Sequence, residues 1–234
     1  MPLNAYRELL STNRRLLGFG FVTALYSSFG QTYFIGIIGP HIQLEFELSH
    51  PLWGMVYMIG TIGSAALLPW TGGLIDRFEL RRYTLAACLL LVFACAYIAT
   101  TTGPVTLVLA IFLLRHAGQG LISHISITSM VRYFDRERGR AIAFASLGFT
   151  AGEAILPVIA VFTLALIGWR WTYGAAAVLI GLTVIPTVTW LLKHHDTVHS
   201  RSSKLSRTVT QTSQLAVRSW TRGEVIRDYF FYLL

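Results

Sequence analysis

The chain has 234 residues, 54% of them hydrophobic and 13% charged, and its mean hydropathy is +0.57, which excludes an ordinary soluble globular protein. A formal charge of +8 and a pI near 9.9 would suit a nucleic-acid binder in a soluble chain. Here the basic residues fall between long apolar runs, so they read as topological charges facing anionic lipid, and no nucleic-acid partner is expected.

In chain order, the first 16 residues are polar and the first apolar run is long enough to span, so it reads as an uncleaved anchor rather than a signal peptide. A spanning helix needs about 20 mostly apolar residues. Such runs lie at Leu17 to Ile38, Leu52 to Gly72, Tyr83 to Thr101, Pro104 to Val131, Ala141 to Ile167 and Trp171 to Leu192, which predicts a bundle of six transmembrane helices over residues 1–192. Cys88 and Cys95, seven apart in the third run, lie roughly 10 Å apart on a helix and read as packing residues. Tyr26, Tyr33 and Trp53 read as interface or packing aromatics.

Of the 19 Lys and Arg residues, 17 fall in the N-terminal tail, the gaps after the second and fourth runs, and the segment after the sixth. Arg170 alone occupies the alternate gaps, and Arg115 lies inside a span. The positive-inside bias predicts a multi-pass protein of the cytoplasmic (plasma or inner) membrane with its N-terminus, Arg81 and the segment from Lys193 inside, and with Glu47 and Arg170 outside. Residues 193–228 are rich in Ser, Thr and basic residues and read as a cytoplasmic linker at the membrane surface. Residues 229–234, aromatic and apolar, read as the start of a truncated seventh span, with an amphipathic anchor as the alternative.

Arg115 and Glu153 carry the most information, because an ionisable group inside a span is costly and tends to face a cavity or a partner. At 1.5 Å per residue, Arg115 lies about 25 Å above Arg132, Glu153 about 20 Å above Arg140, and Gln31 about 24 Å above Arg15. All three share a mid-membrane layer. At 100° per residue, Gln119, Ser123 and Ser126 share the Arg115 face, and Ser27 lies near Gln31. Two readings stand: polar stripes lining a cavity for substrate or ion coupling, or a structural ion pair between Arg115 and Glu153. His116 and His124 read as satisfied core histidines. Ser123, His124 and Ser126 raise an intramembrane hydrolase, but no G-x-S-x-G elbow accompanies them and neighbours on a helix point about 100° apart. No enzymatic activity, cofactor or metal is expected.

Three stretches carry a family resemblance. Gly72-Gly73-Leu74-Ile75-Asp76-Arg77 with Arg81 and Arg82 resembles the signature loop of the major facilitator superfamily, with Glu79 and Leu80 where that family prefers a glycine and a base. Arg115-His116-Ala117-Gly118-Gln119-Gly120 is similar to its fourth-span motif, and the stretch from Arg132 to Ala141 resembles a loop of the monocarboxylate and oxalate/formate branch. Gly148 to Gly152 with Pro157 partly echoes the antiporter motif, but the expected Gly-Pro pair is missing and antiport is not supported.

The resemblance implies an all-α fold that is one six-helix half of a secondary active transporter, working by alternating access, with Gly72, Gly73, Asp76, Arg77, Arg81 and Arg82 forming a cytoplasmic gate. Implied partners are membrane lipid, a small solute and a C-terminal half supplied in cis or trans. Arg115 favours an anionic organic solute unless it pairs with Glu153, and Glu153 is the candidate for carrying a coupling proton in symport. The alternative is a truncated, non-transporting membrane protein or a six-span sensor.

Overall fold

The structure, a computed structural model, describes residues 2–134 and 137–192, with side chains from Asn13 onward. The linker expected at 193–228 and the apolar restart at 229–234 lie outside the described residues. Those residues fold as an all-α protein: α1 (Pro2–Ser27), a 3-10 turn (Ser28–Gly30), α2 (Thr32–Glu45), α3 (His50–Gly72), a 3-10 turn (Gly73–Asp76) and α4 (Leu80–Ala99). There follow α5 (Pro104–Leu114), a π-helical segment (Arg115–Ile122), α6 (Ser123–Tyr133) and α7 (Arg138–Leu192).

Five stretches are long and apolar enough to cross a membrane: Asn13–Glu45, His50–Asp76, Leu80–Ala99, Pro104–Tyr133 and Arg138–Leu192. The last has 55 residues, which would extend about 80 Å if straight, against roughly 30 Å of hydrocarbon. It is broken at Gly168, where φ is 72° and ψ 169°. This backbone region is open essentially to glycine alone. The two limbs then run in opposite directions along α1. A Cβ on Gly148 would overlap the Phe21 carbonyl oxygen, and one on Gly152 would overlap the Ser28 hydroxyl, so the first limb ascends with α1. Tyr26 bonds Thr183 at 2.8 Å and Gly18 packs beside Leu191, so the second limb descends.

Local chemistry sets several helix ends. Ser49 accepts from the Leu52 N–H at 3.4 Å ahead of Pro51, and the Thr106 hydroxyl accepts from the Gly103 N–H at 3.1 Å ahead of the α5 helix. Within the spans, Thr23 and Thr84 return their hydroxyls to carbonyls four residues back, at 2.7 Å each, which satisfies groups that lipid would leave unpaired. Cys88 and Cys95 are buried and unbridged, as their spacing requires.

The fourth span lies at the centre: 61% of its most apolar window is buried, against 17% for the span built on α3. Outward-facing Met55, Met58 and Ile62 on α3, and Val158, Phe162 and Leu166 on α7, form the apolar exterior. Two predicted spans depart from continuous α-helix. The first breaks at Ser28–Gly30 and extends at Gln31 (φ −78°, ψ 155°) before restarting at Thr32, and the fourth widens into the π-helical segment. The breaks meet. A Cβ on Gly118 would lie 2.7 Å from Gly30 Cα and 2.9 Å from the Ser27 carbonyl oxygen, so the two backbones touch where neither has a side chain.

At one face of the bundle, Arg170 joins three helix ends. It bonds Glu45 at 2.7 Å and the Ala99 carbonyl at 2.8 Å, while its guanidinium sits 4.5 Å over the Trp169 ring. Trp169 donates to the same Glu45 carboxylate. The opposite face carries the Asp76 loop.

A polar cavity where two broken helices meet

The turn at Ser28–Gly30, the extended Gln31 and the π segment open a cavity of about 340 Å³ in an otherwise apolar bundle. One wall is Ser28, Gln31 and Tyr33 from the break in the first span; a second is Gln119 and Ser123 from the fourth; Phe149 and Glu153 of α7 complete it. Gln31 Nε2 donates to Ser123 Oγ at 3.4 Å across the gap. Gln119 Oε1 is buried without a hydrogen-bond partner, and the Tyr33 hydroxyl is held beside Ser28. An unpaired polar atom costs on the order of 1–3 kcal/mol when dry, so the amide oxygen would gain from water or a ligand in the gap.

Of the residues read from the sequence, Gln31, Gln119, Ser123 and Glu153 come together here. Arg115 does not line the cavity. It is 8% exposed, donates from Nη1 to Thr32 Oγ1 at 2.9 Å, and lies 5.5 Å from the Tyr57 ring centre, with Tyr57 Oη also donating to Thr32 at 3.1 Å. No ion pair joins Arg115 to Glu153 among the described residues, so the structural-pair reading has no geometric basis. Ser126 is fully buried and donates to the Gly20 carbonyl at 2.7 Å, and Ser27 donates to the Ala24 carbonyl at 2.7 Å; both belong to helix packing. The predicted shared face of Arg115 and Ser126 fails because the π segment holds more residues per turn than the 3.6 assumed.

The serine and histidine cluster disperses in the same way. Ser123 turns to Gln31 and the Gly118 carbonyl, His124 lies against Gly72 and Thr128, and Ser126 goes to α1. No serine–histidine bond forms among them. His116 bonds Thr71 at 3.2 Å through Nε2 and stacks on Phe112.

Four participants were missed in the sequence: Ser28, Thr32, Tyr57 and Phe149. The signal for the first two was the run Ser27, Ser28, Gln31, Thr32, Tyr33, a dense polar cluster inside an apolar stretch. Tyr33, read as an interface or packing aromatic, lines the cavity.

Asp76 of the signature loop meets Arg132 at 4.0 Å, and Arg132 also donates to the Ile75 carbonyl at 3.3 Å. Gly72 is buried against His124, while Arg77 and Arg82 face outward, Arg82 paired with Glu79 at 2.9 Å. The loop is thus tied to the end of the fourth span through Asp76, leaving its outer arginines at the surface. The family model described as Major Facilitator Superfamily matches residues 20–234.

The chain belongs to the major facilitator superfamily. It is therefore an integral, multi-pass membrane protein of a transporter family. The match is to the superfamily as a whole and does not select the oxalate/formate branch. None of the curated proteins matches the chain.

Proposed function

We propose that this superfamily member is a six-pass half of a secondary active transporter, in which the cavity between Gln31, Gln119 and Glu153 holds a small polar organic solute during alternating access. The observation that carries the reading is the meeting of two discontinuous helices at mid-bundle, with polar side chains around the gap. Discontinuous spans of this kind concentrate polar groups at the midplane, where transporters bind their cargo. The sixth pass follows from the reversal at Gly168. Orientation follows from charge: the face bearing Arg77, Arg81, Arg82 and Arg132 is cytoplasmic and the Arg170 face external, in a plasma or inner membrane.

Glu153 is the coupling candidate, because it is the carboxylate on the cavity wall. The wall beyond Glu153 is supplied by a second half, in cis or in trans. Uptake of labelled small organic solutes into vesicles from cells expressing the protein tests the reading. A solute whose uptake falls at least about tenfold in both Gln31→Ala and Gln119→Ala proteins, inserted at normal levels, supports it. Glu153→Gln should then abolish gradient-driven uptake. Uptake unchanged by all three substitutions would remove the cavity from the mechanism.

A further inference from the structure

The cavity wall presents one formal charge, and it is negative. Glu153 lies exposed along it, whereas Arg115 is withdrawn behind Thr32 and stacked on Tyr57. The neutral groups are compatible with a ligand of the opposite sign: Gln119 Oε1 is an amide oxygen with no donor, while the Gln31 amide N–H is already directed to Ser123 at 3.4 Å. Phe149 adds an aromatic ring, whose face attracts a cation. A carboxylate, an unpartnered amide oxygen and a ring around about 340 Å³ complement an ammonium group. An anionic solute would instead bring a second negative charge beside Glu153.

Resting on the reading of this cavity as the solute site, we infer that it binds a small organic cation, a protonated amine whose N–H groups reach Glu153 and Gln119 while its apolar portion lies on Phe149. This reverses the anionic solute expected from Arg115, whose guanidinium supports the wall from behind rather than facing the ligand.

The test is a matched trio of probes, phenethylammonium, phenylpropionate and phenylethyl alcohol, titrated calorimetrically into the full chain in lipid nanodiscs. Phenethylammonium should bind at least about tenfold more tightly than phenylpropionate. Glu153→Gln should erase that preference without changing the affinity for phenylethyl alcohol, and Glu153→Asp should restore it. Because Glu153 is exposed, neither substitution disturbs packing, and matching thermal unfolding curves check this. Tighter binding of phenylpropionate, weakened by Gln119→Ala, would overturn the charge class yet leave the cavity as the solute site. No binding of any probe, or binding indifferent to Glu153 and Gln119 alike, would overturn the inference together with the cavity reading.

Discussion

Arg115 is buried against the Thr32 hydroxyl, which Tyr57 also bonds, and against the Tyr57 ring rather than a counter-charge. A hydrogen bond to a charged group contributes about 1.5–3 kcal/mol and a desolvated cation–π contact up to about 2. Arg115→Ala should therefore cost the fold roughly 2 kcal/mol, read from unfolding in mixed micelles. Arg115→Lys should recover only part of that, because an ammonium lacks the planar face that stacks on Tyr57. That Arg115 lies level with Gln31 was legible in the sequence, its side chain bonding the neighbouring Thr32, since counting along a span is insensitive to small changes in winding. Its direction was not. Phase depends on residues per turn, and the π segment that begins at Arg115 shifts every later side chain, which is why Ser126 turned up against Gly20 rather than in the cavity.

Helix by helix, the break in the longest helix falls where chemistry interrupts apolarity. Gly168 and Arg170 lie between the runs ending at Ile167 and starting at Trp171, and the reversal occurs there. Gly168→Ala would force a Cβ into a backbone region that only glycine occupies freely, and should cost on the order of 1–3 kcal/mol in the same assay. The fold-back itself predicts that cysteines replacing Gly18 and Leu191, in a chain lacking Cys88 and Cys95, join through a short bifunctional reagent. Absence of that cross-link would contradict the descending limb. The breaks at Ser28–Gly30 and in the fourth span were not legible, because serine, glutamine and glycine are all tolerated inside a membrane helix. What decides them is the contact of Gly30 with Gly118, a tertiary event between residues 88 apart in the chain. Gly118→Leu should accordingly prevent the two spans from closing, lowering the yield of folded protein far more than Gly36→Leu, where the added side chain meets open space.

For the whole molecule, the charge asymmetry proposed to set orientation predicts that a cysteine replacing Glu47 is labelled by an impermeant reagent in intact cells, and one replacing Arg81 only after lysis. The reverse pattern would invert the protein. The pairing of Asp76 with Arg132 lies within one bundle, so the loop is anchored by this chain's own residues, with Arg77 exposed and Arg82 held by Glu79. These 234 residues alone should insert but fail to transport. Saturable uptake by liposomes holding only the purified chain would show otherwise.

The π segment also makes the cavity sensitive to chain length in a way that ordinary substitutions do not reach. A π turn holds one residue more than the α turn it replaces. Deleting Ala117 would let the fourth span relax to regular α-helix of nearly the same length, with the residues on either side still in phase, because the π turn already absorbs the extra residue. Ser123 would keep its place toward Gln31 and Ser126 toward Gly20, while the widened turn that receives Gly30 would close. A single lost codon would thus remove the meeting place of the two breaks and leave the flanking halves of the span in register.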